Sequence, residues 1–281
     1  MDKQQHLTYE NHSRYFADCR YIYPVVSRRS QGLSLGINLN LNNACNWRCV
    51  YCQVEGLVRG NPDPVDRDVL VAELDFMLNW IVNGDFIQQF APIGLQRFND
   101  ICLAGNGEPT LSPDFNFVCD VIAKLRAKYN LQEVKTVLIT NGSQIHNPQV
   151  QEGLKTLALL NGEIWFKVDR VSKTDILAVN QVALSSDSIS KRLKIAAGLI
   201  TTYIQSCWFS NNGNNPSQSE LDDFIQFISA HQEFIAGVLL YSTARQPALA
   251  EGGNITQVSL EFLQQLNQRI LDLGIYSRYH V

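Results

Sequence analysis

The amino-acid sequence predicts an α/β fold, most simply a partial (β/α)6 TIM-type barrel with an N-terminal extension and a C-terminal helix. Six short apolar runs alternate with segments whose apolar residues recur at helical spacing, and no repeat or low-complexity tract interrupts them. Parallel strands need long connections, and right-handed crossovers cover one face of the sheet with helices. A doubly wound open sheet has the same order of elements, so periodicity alone leaves both arrangements open.

The elements follow one another in a regular order. Residues 32–39 alternate apolar and polar side chains as a strand does, residues 65–82 have helical spacing, and residues 101–104 form a short apolar run that ends at a glycine. The same criteria predict the remaining strands at 136–139, 164–168, 201–209 and 237–241. They predict the remaining helices at 114–128, 148–160, 187–199, 217–230 and 257–273, with a loop at 246–255.

Composition and length indicate one folded core. The 281 residues are 45% hydrophobic and 18% charged, which excludes a disordered chain. We predict an extension at 1–32, a core barrel at 33–245, and a C-terminal loop and helix at 246–281. A net charge of −4 neither requires nor excludes a nucleic-acid partner. The N-terminus lacks an apolar signal run and no stretch reaches the roughly 18 apolar residues of a membrane span, so we expect a cytoplasmic protein.

Three closely spaced cysteines are the clearest sign of a metal site in the sequence. Cys45, Cys49 and Cys52 follow the first predicted strand at spacings of four and three residues, so their thiols can converge on one inorganic centre. Structural zinc normally takes four protein ligands, and no fourth cysteine or histidine is nearby. Three thiolates on a cubane iron–sulfur cluster leave one iron open for another ligand. The alternatives are three core or surface cysteines that bind no metal, or a zinc site completed by a distant residue.

The cysteine motif resembles the signature of the radical S-adenosylmethionine (SAM) superfamily, with aromatic Tyr51 just before the last cysteine. The segment 23–38 and the dipeptide after the cysteines look like a poorly characterised branch described as iron–sulfur oxidoreductases, distantly similar to the radical enzyme that forms the wyosine base of tRNA. The resemblance implies a [4Fe–4S] cluster on the three cysteines and SAM on its open iron. Reductive cleavage of SAM would then give a 5′-deoxyadenosyl radical that takes hydrogen from a substrate.

The same resemblance implies where SAM binds. The segment Gly105, Asn106, Gly107, Glu108 and Pro109 resembles the superfamily's GGEP motif, with an asparagine where a second glycine is usual. Its glycines permit close backbone approach to a ligand, although a plain turn between strand and helix is the alternative.

Further cofactor contacts are expected where later strands end. Thr140 and Asn141 end the third predicted strand, and Lys167 and Asp169 end the fourth, where they face either the cofactor or each other. Two more residues are expected on the adenine side: Ser210 and Asn212. Substrate contacts are expected from Arg28, Arg29, Tyr241 and Arg245.

These expectations compete with two other classes of function. A radical enzyme needs a small electron donor such as flavodoxin or ferredoxin, and its substrate could be RNA or a small molecule. An electron-transfer or redox-sensing protein would use the same cluster without SAM. A zinc-stabilised RNA-binding module would use the cysteines structurally, with the N-terminal arginines on the nucleic acid.

Overall fold

The computed structural model describes residues 7–8, 16–27 and 31–280. Eight strands form the main sheet in the order β1-β2-β5-β6-β7-β8-β10-β12, and two small two-stranded sheets pair β3 with β4 and β9 with β11. The strands are β1 (Ile22–Ser27), β2 (Gly32–Ile37), β3 (Ala44–Cys45), β4 (Val58–Arg59), β5 (Phe98–Leu103), β6 (Lys135–Thr140), β7 (Gly162–Lys167), β8 (Thr201–Cys207), β9 (Phe209–Asn211), β10 (Gly237–Tyr241), β11 (Ile255–Gln257) and β12 (Ser277–His280). The helices are α1 (Arg67–Asn83), α2 (Phe86–Phe90), α3 (Phe115–Lys128), α4 (Pro148–Ala158), α5 (Lys173–Asn180), α6 (Ser186–Ala197), α7 (Gln218–Ala230) and α8 (Leu260–Leu271).

The main sheet is a curled half-barrel, which confirms the predicted fold class. The six predicted strands are β2, β5, β6, β7, β8 and β10, and they run parallel in chain order. Side chains from β1 through β12 line one cavity, so the sheet is concave, and it is open between its two end strands.

The flanking segments add strands that periodicity did not predict. β1 pairs antiparallel with β2, and β12 pairs parallel with β10, so both extend the core sheet. The predicted run 201–209 is two strands, because the backbone N–H of Trp208 bonds to the carbonyl of Tyr241 (2.9 Å) and β9 then turns to pair with β11. Helices α2 and α5 were also not predicted. The domain boundaries stay predictions.

Side chains alternate along each strand between the convex face of the main sheet and the concave face that lines the cavity. Leu35, Ile37, Ile101 and their equivalents on the convex face are fully buried beneath the helices. The concave face carries the opposite set, including Ser34 and Trp165, which line the cavity. Because parallel strands share one carboxyl edge, the loops that follow β2, β5, β6, β7, β8 and β10 meet at the cavity mouth.

Candidate functional site

The three cysteines lie in the loop after β2 and line one cavity of about 350 Å³ at the carboxyl edge of the strands. All are free thiols of intermediate burial. The loop has its own bonding: the Cys52 N–H donates to the Cys49 carbonyl (2.9 Å), and the Trp47 N–H donates to the Cys45 sulfur (3.4 Å). The sequence prediction that these thiols face one space therefore agrees with the structure.

The electrostatics of the loop suit thiolates only when a cation is present. Burial raises the pKa of Cys45 and of Cys49 to about 12 each, so both are neutral thiols without a bound metal centre. Metal binding supplies the positive charge that deprotonates such ligands. Within residues 7–8, 16–27 and 31–280, no three His, Cys, Asp or Glu side chains are grouped to hold a single metal ion. The donor set of three thiols fits a cubane, in which each thiolate would bind a different iron and leave the fourth iron open.

The glycine loop after β5 packs directly against the cysteine loop. A Cβ on Gly105 would lie 2.2 Å from the Asn38 side-chain oxygen, and one on Gly107 would lie 2.0 Å from the Ala44 carbonyl oxygen. The Asn40 side chain bridges the two loops by donating to the Ala44 carbonyl (2.9 Å) and the Glu108 carbonyl (3.3 Å). These glycines are therefore required by protein contacts as well as by any ligand.

The Glu108 carboxylate ties together the ends of three elements. It is 3% exposed and accepts hydrogen bonds from the Thr110 hydroxyl (2.6 Å), the Thr140 hydroxyl (2.6 Å) and the Asn141 backbone N–H (2.7 Å). Burial raises its pKa, and these donors oppose that shift. The Asn141 side chain in turn donates to the side-chain oxygen Oδ1 of Asn46 (2.9 Å), a residue between Cys45 and Cys49 in the sequence. Glu108 thus positions the cysteine loop.

The Asp169 carboxylate is a second buried junction. It accepts from the Tyr51 hydroxyl (2.5 Å), the Asn180 amide (2.7 Å) and the Cys207 backbone N–H (2.9 Å), and it lies 3.5 Å from the Lys167 ammonium. Four partners leave this carboxylate fully satisfied. It therefore links the aromatic residue of the cysteine motif to β7, α5 and β8.

Lys167 brings a buried cation to the cavity wall. Its ammonium donates to the Tyr241 hydroxyl (2.7 Å) and lies 5.1 Å from the ring centres of both Tyr51 and Tyr241. Burial is the largest single influence and would lower the pKa of Lys167, but the Asp169 carboxylate together with the neighbouring Tyr241, Cys207 and Cys49 side chains outweighs it, so the pKa is raised. The wall therefore carries a permanent positive charge beside the cysteines.

Most residues proposed from the sequence meet at this cavity. Those that line it are Cys45, Cys49, Tyr51, Cys52, Gly105, Gly107, Glu108, Thr140, Asn141, Lys167, Tyr241 and Arg245. The Arg245 guanidinium donates to the Gln53 side chain (2.8 Å), across the mouth of the cavity.

Other proposed residues lie behind or beyond the wall. Asp169 supports the wall from behind, Asn106 lies between the two wall glycines, and Pro109 starts a short 3-10 turn. Ser210 and Asn212 leave the wall because β9 pairs with β11, and Asn212 is exposed. Their cofactor contacts stay predictions. Arg28 and Arg29 lie outside the described residues, so their substrate contacts stay predictions.

Sequence reasoning missed several residues of the cavity. Cys102, Gln205 and Cys207 also line it. The Gln205 side chain is 1% exposed, and its amide nitrogen has no hydrogen-bond partner in the part of the chain that the structure describes. Alternation through 201–207 was the available signal, because it puts Gln205 and Cys207 on one face. Asn180 had no comparable signal, since α5 itself was not predicted.

The chain is similar in sequence to UPF0026 proteins of bacteria. It is 27% identical to a UPF0026 protein of Helicobacter pylori over 81% of this chain and 69% of the relative. A second H. pylori UPF0026 protein is 29% identical over 91% of this chain and 65% of the relative, and one from Synechocystis is 27% identical over 57% of this chain and 52% of the relative. The chain thus spans about two thirds of the two H. pylori proteins. No protein-family model matches it.

Solved structures identify the class of fold. A radical SAM methyltransferase from Sphaerobacter thermophilus matches with a TM-score of 0.58 at 13% identity, over 92% of this chain and 68% of its own. SuiB of Streptococcus suis, bound to S-adenosylmethionine, matches at 0.56 and 14% identity, over 89% and 47%. TYW1 with a lysine–pyruvate adduct matches at 0.55 and 13% identity, over 85% and 73%. The chain has the fold of radical SAM enzymes, and within that fold it is similar to UPF0026 proteins, which confirms the resemblance read from its motifs.

Among the helices of the described residues, none is long and apolar enough to cross a bilayer.

Proposed function

We propose that this protein is a radical SAM enzyme that holds a [4Fe–4S] cluster on Cys45, Cys49 and Cys52. One observation carries the proposal: three thiols line a single cavity at the carboxyl edge of a half-barrel, beside a glycine loop packed against them. When bound, the cluster and SAM supply the electron and the 5′-deoxyadenosyl radical. The rest of the chemistry is positioning and exclusion of water by the chain itself.

Different residues of the cavity wall contribute to positioning and to the exclusion of water. The loop at Gly105 and Gly107 brings backbone groups to the cavity, where they can meet the polar end of SAM. Lys167 contributes a fixed positive charge that favours a carboxylate ligand. Deeper in the barrel, Trp165 and Leu239 pack with other apolar side chains on the concave face, and this surface keeps water from a reactive radical.

The proposal extends to the contacts of the substrate and of the electron donor. Tyr241 and Arg245 line the opening and are our candidates for substrate contact. A small donor such as flavodoxin or ferredoxin would approach the cysteine loop from the solvent side, where Val58 and Arg59 are exposed. The substrate would enter the barrel beneath the cysteines.

Anaerobic reconstitution tests the proposal. Iron and sulfide are added to the purified protein, the product is reduced with SAM present, and 5′-deoxyadenosine is measured by chromatography. We expect about four irons per chain and formation of 5′-deoxyadenosine. Replacing Cys45, Cys49 or Cys52 by alanine should abolish both.

The matched control is Cys119→Ala. Cys119 is a fully buried thiol of α3 outside the cavity wall, so this variant should keep both iron and SAM cleavage. 5′-Deoxyadenosine from a variant lacking all three loop cysteines would contradict the proposal. So would colourless protein with about one tightly bound zinc per chain.

A further inference from the structure

Asn180 lies where α5 meets the cysteine loop. Its side chain is 1% exposed, and its amide nitrogen is 3.3 Å from the Cys49 sulfur and 2.7 Å from an Asp169 carboxylate oxygen. An amide NH2 group carries two donor hydrogens, so one can serve the sulfur and the other the carboxylate. The carboxylate accepts the second hydrogen and thereby fixes the orientation of the amide.

The end of α5 is also the platform on which the cysteine loop rests. The last carbonyls of a helix lack partners inside the helix. Here the Arg48 N–H donates to the Asn180 carbonyl (3.2 Å), and the Val50 N–H donates to the Val179 carbonyl (2.9 Å). Both donors flank Cys49 in the sequence. The sulfur of Cys49 is therefore held against the Asn180 amide by backbone bonds on either side.

We infer that Asn180 is a positioning residue whose amide N–H donates to the Cys49 sulfur and raises the reduction potential of the cluster. The inference rests on the proposed function, since it needs a cluster on Cys49. Reduction adds negative charge to the cluster and its sulfurs, and a hydrogen-bond donor stabilises that charge. The Tyr51 hydroxyl donates to the same Asp169 carboxylate, so Tyr51 helps to hold the carboxylate that orients the Asn180 amide.

The test is a redox titration of the reconstituted protein, followed by electron paramagnetic resonance without SAM. Asn180→Leu removes the donor at similar size, and Asn180→Ala removes it without adding atoms. We expect both variants to keep about four irons and to lower the potential by about 59 mV, a tenfold change in the ratio of reduced to oxidised cluster for one electron.

The matched control is Asn46→Ala. Asn46 accepts a side-chain bond from Asn141 (2.9 Å), so this variant loosens the loop without removing the donor to sulfur. Its potential should stay within about 20 mV of the parent, roughly a twofold change in that ratio. An unchanged potential in both Asn180 variants would overturn the inference, and so would an equal drop in Asn46→Ala. Failure of the parent protein to bind iron would instead overturn the proposed function.

Discussion

Gly107→Ala is the sharpest test of how the site is built. An added Cβ would lie 2.0 Å from the Ala44 carbonyl oxygen and 2.7 Å from the Asn40 side-chain nitrogen, whereas non-bonded atoms normally settle at about 3.5 Å. The carbonyl belongs to the residue just before Cys45, so relief must move the cysteine loop by about 1 Å or more. Overpacking of this kind costs about 1–3 kcal/mol, and loss of the Asn40 bond adds about 0.5–1.5 kcal/mol. We expect a total of about 1.5–4.5 kcal/mol.

Urea unfolding of the apoprotein, followed by circular dichroism, measures this change. Gly198→Ala is the control, because Gly198 has helical dihedral angles and its added Cβ would lie 3.4 Å from the nearest atom, the Lys194 carbonyl oxygen. That variant should be stabilised by about 0.4–1 kcal/mol. If Gly107→Ala unfolds within about 0.5 kcal/mol of the parent and still binds iron fully, the packing argument is refuted.

Three further changes probe the rest of the site and the core. Glu108→Gln puts an amide donor against backbone and hydroxyl donors and should cost about 1–3 kcal/mol in urea unfolding, while exposed Glu133→Gln should change little. Tyr51→Phe removes a donor from the buried Asp169 carboxylate and should cost about 1.5–3 kcal/mol by the same measurement; no loss would contradict the junction. Burial raises the pKa of Cys119, so the folded state keeps the thiol proton to higher pH than the unfolded state does, and the free energy of unfolding falls as pH rises above about 9. Cys119→Ala should reduce the slope of unfolding free energy against pH by about 1.4 kcal/mol per pH unit. An unchanged slope would refute the assignment of this pH dependence to Cys119.

Long, strongly periodic segments made the core of the fold predictable. β2, β5, β6, β7, β8 and β10 are buried parallel strands, and their apolar runs are visible in the sequence. The cysteine spacing and the glycine loop were visible for a different reason, because each needs specific residue types at fixed positions. Neither signal requires knowledge of tertiary contacts.

The elements and site residues that were not predicted from the sequence depend on tertiary contacts. β12 reads Ser-Arg-Tyr-His, and nothing in this polar run signals a strand until β10 supplies its partner. α5 has eight residues and buries Ile176, Val179 and Asn180, too few for a periodic pattern. Asn180 could not be recognised because its role depends on contact with Cys49, which lies 131 residues earlier in the chain. Such residues become visible only when the fold brings their partners together.

The cysteine loop is held at separate points, and this explains why its supports can be tested one at a time. Asn40 fixes the backbone before Cys45, Asn141 holds the side chain of Asn46, and the end of α5 carries the backbone around Cys49. Removing one support leaves the others in place, so single variants should shift stability or potential without unfolding the site. Effects of changes at separate contacts tend to add, whereas those within one network do not. Combining Asn40→Ala with Asn180→Ala should therefore give nearly the sum of the two losses in unfolding free energy, and a loss much smaller than that sum would mean that the loop has one cooperative support.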